Sequence, residues 1–261
     1  GIFLVFMIRK VSFIFFFILS IIVAQSDLES GIRYYNLRHQ GCIEDKADPE
    51  PITKAVSYFE KAYGNQIDKD EASLYLLKSY YFKAKFTEND KRRKKDLLKK
   101  GKELGQNLVA DYPQSVEYRY WYLVNLGSWA EVYGILAAAR EGVADQMRSH
   151  SKKIIELDPE YENGAGYFML GAVHYKSPYI PFLLSWPNNS DAIKWLDMSY
   201  NTGDAKLAQG VYLSQALYKD GKRNEAIRLL DKVIQATPSK DDYASDWEWI
   251  KKAKVLHSEY K

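Results

Sequence analysis

The sequence predicts an all-α fold in which antiparallel helix pairs stack as a solenoid with a concave groove. Three observations carry this. From Leu28 onward apolar residues recur at helical spacing, and no stretch alternates as a strand would. Prolines and acidic or glycine-containing turns separate the periodic segments at short intervals. Segments ending in Asp111-Tyr112-Pro113, Leu157-Asp158-Pro159 and Ala236-Thr237-Pro238 share one design, a helix stopped by proline and followed by another aromatic-rich helix.

Taken in order, residues 1–26 stand apart from that body. Read from Met7, Arg9 and Lys10 precede fourteen uncharged, mainly apolar residues, Val11 to Ala24. As a helix that run rises only about 21 Å, too short for a hydrocarbon core of about 30 Å. A basic start, a short apolar run and the small-x-small ending Ala24-Gln25-Ser26 form the pattern of a secretory signal peptide. The expectation is export to a periplasm or cell envelope with cleavage after Ser26; an uncleaved anchor is the alternative. Residues 27–261 are then expected to form a single helical domain.

Within it, helices are expected at about 28–39, 51–64, 70–87, 90–111, 115–140, 142–157, 161–176, 189–201, 204–219, 222–236 and 242–259. Ala55, Phe59 and Ala62 mark the inner face of the second helix of a first pair. Leu97, Leu98 and Leu104 give the next basic segment an apolar side. Leu170-Gly171 and His174 take first-helix packing positions; Ala192 and Leu196 take those of the helix after it. Between them lie about nine extra residues within Ser177–Pro187. The most regular unit is 207–238: Leu213, Ser214 and Leu217, a turn at Asp220-Gly221-Lys222, then Ala226, Leu230 and Val233, and Pro238 as the stop. Those offsets match the tetratricopeptide repeat (TPR), whose period is about 34 residues. Such pairs stack into a quasi-linear solenoid.

Bulk composition limits the functional classes. Hydrophobic residues make up 46% and charged residues 27%, and tyrosines are 21 of the 38 aromatics. That surplus suits half-buried surfaces where a ring packs and a hydroxyl meets water. Removing residues 1–26 lowers the formal charge from +3 to +1, which gives no general case for nucleic acid. Cys42 is the only cysteine, so no internal disulfide forms.

Tyr120-Trp121, Gly127-x-Trp129-Ala130, Leu157-Asp158-Pro159-x-Tyr161-Glu162-x-Gly164-Ala165-Gly166 and Leu170-Gly171, read together, resemble the periplasmic T-component proteins of TRAP transporters. The likeness spans roughly residues 115–260. It implies a helical TPR-like body with a groove or pore, and a partner solute-binding protein of a transporter. The chain departs from that pattern in lacking a lipidated cysteine and in its proline-rich insertion.

No catalytic pattern is present, and no enzyme, metal or cofactor is expected. His39, His150, His174 and His257 are scattered, and His174 falls on a packing position. Gly164, Gly166 and Gly171 follow no strand and suit close helix packing rather than a phosphate cradle. Asn188-Asn189-Ser190 has the form of a glycosylation site. Lys91 to Lys102 places eight positive charges in twelve residues, read as a solvated face or as a contact for anionic lipid.

The candidate binding surface is the concave face of the first helix of each pair. Carried over by repeat offset it holds Trp121 and Val124, then Phe168, Ala172, Tyr175 and Lys176, then Val211, Gln215, Tyr218 and Lys219. Such a face is aromatic with a few polar points, as ligand pockets are. Tyr179, Phe182 and Trp186 of the insertion are expected to form a lid or docking loop. The expected role is non-catalytic binding of a protein partner or a hydrophobic or peptidic ligand. A purely structural envelope scaffold is the alternative.

Overall fold

A computed structural model describes residues 25–182 and 184–261. The segment read as a signal peptide lies outside them, apart from Gln25 and Ser26. Twelve helices follow among the described residues: α1 (Asp27–Asn36), α2 (Pro49–Tyr63), α3 (Lys69–Phe86), α4 (Lys91–Asp111), α5 (Val116–Tyr133), α6 (Ile135–Arg140), α7 (Val143–Leu157), α8 (Tyr161–Lys176), α9 (Asn189–Tyr200), α10 (Leu207–Lys219), α11 (Arg223–Gln235) and α12 (Tyr243–Tyr260). The fold is all-α and TPR-like: α1/α2, α3/α4, α5/α7, α8/α9 and α10/α11 are successive pairs, and the first helices also pack on one another along the stack.

Local chemistry sets most boundaries. Ser26 and Glu29 form a capping box at α1; Asp48 caps α2 ahead of Pro49; Asp90, Ser115 and Asn188 accept backbone N–H groups at the starts of α4, α5 and α9. The Asn188 amide, in the sequence written as a glycosylation site, also donates to Trp186 O and Asp191. On α11 the predicted stripe is the buried one: Ala226 and Leu230 are fully buried and Val233 nearly so. Ala55, Phe59 and Ala62 are buried on α2 in the same way.

Two elements differ from the sequence expectation. The helix expected over 115–140 breaks at Gly134, whose φ of 98° and ψ of 169° are open only to glycine. α6, beyond the break, buries no side chain. At the start of α8, Glu162, Asn163 and Gly164 form a left-handed turn with φ of 48°, 59° and 82°, so the right-handed helix begins at Ala165. Long-range contacts hold this turn. Asn163 accepts from Asp204 N–H through its side chain and from Gln209 Nε2 through its carbonyl, and the Ser199 hydroxyl donates to Gly164 O. A Cβ at Gly164 would stand 2.9 Å from Thr202.

The expected concave groove is present, and the two ends of the solenoid also meet. Ala244 of α12 is fully buried in the N-terminal core with Ile52, Phe59, Phe82 and Phe86. Arg38 donates to Asp241 O at 2.7 Å, Lys85 meets Glu248 at 3.1 Å, and Lys251 meets Asp45 at 2.7 Å. The first helices therefore face a ring interior.

Three histidines are held neutral by this packing. Burial lowers His39, His150 and His174, with Arg38 adding to it at His39 and Arg119 at His150. Arg119 lies 2.6 Å from His150 Nδ1, a nitrogen that accepts from the guanidinium and so must lack a proton. A lowered folded-state value means that stability from these groups is complete above the unfolded value of about 6.5 and is lost as pH falls through the folded one. The thermal midpoint should therefore fall between about pH 7.5 and 5.5, and His150→Phe should lessen the fall. A flat or rising midpoint would contradict neutral imidazoles.

Candidate functional site

The ring encloses a cavity of about 960 Å3, lined from Tyr35 near the N-terminus to Trp249 on α12. Helical spacing builds its wall as one stripe per first helix: Lys78, Phe82 and Lys85 on α3; Val124, Ser128 and Glu131 on α5; Phe168, Ala172 and Lys176 on α8; Ala208 and Tyr212 on α10. Aromatic faces dominate. Trp121 packs on Tyr120 and Tyr81, and Tyr212 packs edge-on to Phe168 and tilted against Trp249.

Of the residues expected on the concave face, Trp121, Val124, Phe168, Ala172 and Lys176 line this cavity. Tyr175, Val211, Gln215, Tyr218 and Lys219 do not. Val211 is fully buried in the core beside Leu230. Tyr218 stacks on Tyr260 at 3.6 Å, and Tyr175 packs edge-on to Tyr212, with Lys219 Nζ 5.7 Å from the Tyr175 ring. On α10 the cavity stripe runs through 208 and 212, about 100° around the helix from 211. In the insertion, Ile180 and Leu184 line the cavity, whereas Tyr179 and Phe182 face solvent. Trp186 ties the loop down: its Nε1 donates to Asp145 at 2.8 Å, Arg148 covers its ring at 4.6 Å, and it meets buried His174 edge-on. Sequence reasoning missed the α3 stripe, although Lys78, Phe82 and Lys85 recur at the helical spacing i, i+4, i+7.

The polar groups of the cavity fall into two sets. In the first, lysines meet carboxylates. Burial would lower Lys85, yet Tyr81, Glu248 and Glu131 hold it above its ordinary value. Lys176 is treated alike by Tyr212 and Glu131, and Lys206 by Tyr120, Glu162 and Asp242. These lysines stay charged and matched. Burial pushes the Tyr35 phenol up to about 12 and raises Tyr81, Tyr120 and Tyr212, so all four are neutral hydrogen-bond donors.

Lys78 and Arg38 form the second set. Neither stands in an ion pair among the described residues. The Lys78 ammonium lies 5.3 Å from the Tyr75 ring and 5.8 Å from the Trp121 ring, and burial lowers it, with Glu117 and Glu162 opposing the effect and Arg38 adding to it. Arg38 spends its donors on the carbonyls of Tyr35 and Asp241 and stacks over Tyr35 at 4.2 Å. Two cations on an aromatic wall, neither held in an ion pair, can receive an anion. Among the described residues no group of three or more His, Cys, Asp or Glu side chains gathers as metal ligands. Cys42 is a half-buried thiol raised by burial and lies outside the cavity lining.

Residues 38–182, more than half of the chain, match the family model described as "Regulator of microtubule dynamics protein 1-3". Among solved structures, the chain is similar to TTC0263, a thermophilic TPR protein of Thermus thermophilus. The TM-score is 0.57 at 17% identity, covering 88% of this chain and 98% of that one. At that identity the likeness speaks for the fold alone. No curated protein matches the chain. The likeness to transporter T-components finds no counterpart in either match.

Proposed function

This chain belongs to the regulator of microtubule dynamics protein 1-3 family, and we propose that it is a non-catalytic binding protein whose ring interior holds an amphipathic ligand by its anionic end. The observation that carries this is that Arg38 and Lys78, neither in an ion pair among the described residues, stand on the aromatic wall of a cavity of about 960 Å3. That volume is at the upper end of small-molecule sites. It admits an extended chain, apolar along Trp121, Val124 and Phe168, but no folded domain. Affinity comes from burial of the apolar part, and Arg38 and Lys78 fix its direction.

The TPR-like fold also suggests a protein-interaction scaffold, a reading that the family's description, with its reference to microtubule dynamics, favours. The outer helices α2, α4, α7, α9 and α11 would serve it, and a filled cavity does not compete with it. Export or anchoring through residues 1–26 belongs to the proposal on its sequence pattern, as does an envelope location. A transporter partner rests on the resemblance alone.

The test uses anilinonaphthalene sulfonate, an apolar dye with one negative charge, with energy transfer from tryptophan as the signal. Lys78→Met keeps the length of the side chain and removes its charge. It should weaken dye binding about tenfold, the worth of one charged hydrogen bond, and should leave the uncharged phenylnaphthylamine unaffected. Equal loss for both dyes would remove the anionic end from the reading. No loss for either would remove Lys78 as the group that holds the anionic end.

A further inference from the structure

One end of the ring carries a surface that the cavity ligand does not explain. Ile135 and Leu136 of α6 are 64% and 74% exposed, and the insertion presents Tyr179 at 62% and Phe182 at 106%. Single exposed apolar residues are ordinary, but a gathered set rimmed by charge marks an interaction surface. The two segments share one end. Glu131, near the end of α5, pairs with Lys176, the last residue of α8, and Trp186 of the insertion bonds to Asp145 at the start of α7. Ile135 and Ile180 both line the cavity, so the surface frames its mouth.

The basic run stands beside this rim. Lys95 Nζ lies 4.7 Å from the ring of Tyr133, two residues before Ile135. Of the acids near it, Glu88 pairs with Arg93 at 3.2 Å and the Asp90 carboxylate accepts Arg93 N–H at the cap of α4, which leaves exposed Asp96 as the one acid of the run beside five lysines and arginines from Lys91 to Lys95. Lys91, Arg92 and Lys95 stand in no ion pair among the described residues.

We propose that this end docks on an anionic lipid bilayer, with Ile135, Leu136, Tyr179 and Phe182 entering the headgroup region and Lys91, Arg92 and Lys95 facing lipid phosphates and carboxylates. A bilayer suits this surface better than a protein. Side chains that protrude from separate segments would each need a matching pocket on a protein, whereas a fluid interface accepts them at any spacing. The free charges beside them are positive in excess, Lys91, Arg92 and Lys95 against Asp96, as an anionic leaflet favours. The proposal stands whether or not the cavity holds a ligand.

The test is co-sedimentation of the full chain with vesicles of phosphatidylcholine alone and of phosphatidylcholine mixed with phosphatidylserine. The chain should bind the mixed vesicles more tightly, and less so as salt is raised. Ile135→Ser/Leu136→Ser/Phe182→Ser should weaken binding roughly tenfold or more, as burial of large apolar side chains predicts. Lys91→Glu/Arg92→Glu/Lys95→Glu should abolish the preference for phosphatidylserine, each neutralised cation being worth about fivefold. Ile67→Ser, at an apolar residue 91% exposed in the turn between α2 and α3, should change nothing. Residues 1–24 are common to every arm, so differences between variants isolate this face. Equal binding by the wild type and both triple variants overturns the proposal, as does the absence of any preference for phosphatidylserine.

Discussion

Gly105→Leu is expected to cost about 3 kcal/mol or more of folding stability, the upper range for forcing atoms into a packed interface, and to appear as a large drop in the urea midpoint. Gly105 sits on α4 where it crosses α5. A Cβ there would stand 2.9 Å from Tyr122 Cα and 3.0 Å from Tyr122 Cβ. Backbone on the far side leaves no rotamer to escape into. Tyr122 cannot retreat either: it is 2% exposed, its hydroxyl donates to Gln146, and its ring packs edge-on to His150. One turn earlier, a Cβ at Gly101 would fall 2.0 Å from Asn125 Oδ1, and Asn125 is held by its bonds to Leu77 O and Trp121 O. The contrasting position is Gly127, also mid-helix, whose nearest neighbour is Met147 Cε at 3.9 Å. Gly127→Ala should stabilise by roughly 0.5–1 kcal/mol through lost unfolded-state freedom. If Gly105→Leu melted with the wild type, α4 and α5 would not approach as closely as described.

Ala172→Trp should reduce binding of the anionic dye more than tenfold while leaving the helical signal and the urea midpoint close to wild type. Ala172 lies in the α8 stripe between Phe168 and Lys176 and faces the interior, where the volume is about 960 Å3. Ala172 borders the cavity as well as the core, so an indole there has the interior volume to turn into, unlike a side chain at Gly105. It would occupy the apolar path past Phe168 and Tyr212 that a ligand must use. Undiminished dye binding would place the ligand outside the ring, on the outer helices.

The contrast between these substitutions shows which parts of the site were legible. The α8 stripe could be read because Phe168, Ala172 and Lys176 obey helical spacing within one segment. The α10 stripe could not, because Val211 and Tyr212 are both apolar, and only the approach of α11 and α12 decides which is core and which is wall. Lys78 and Arg38 were unmarked for a related reason. A lysine or arginine in a helix looks solvated until distant aromatics, here Tyr75 and Trp121 around Lys78, define its surroundings.

The sequence by itself determined nearly every helix, since caps, proline stops and periodic faces act within a few residues of one another. Ser26 with Glu29, Asp48 with Pro49, and Ala226, Leu230 and Val233 need no distant partner to declare their roles. It likewise determined the pairing of those helices, because neighbours in the chain have the shortest loops to close. Only the tertiary structure decided that the solenoid is a ring. Ala244 shares one buried core with Phe59 and Phe86, and Arg38 meets Asp241, across separations that no local pattern encodes. It also decided the left-handed turn at Glu162–Gly164, where bonds from Ser199, Asp204 and Gln209 hold the backbone, and the place of the break at Gly134. The ring interior is a property of that accumulated curvature, and curvature summed over successive helices is not written in any one of them.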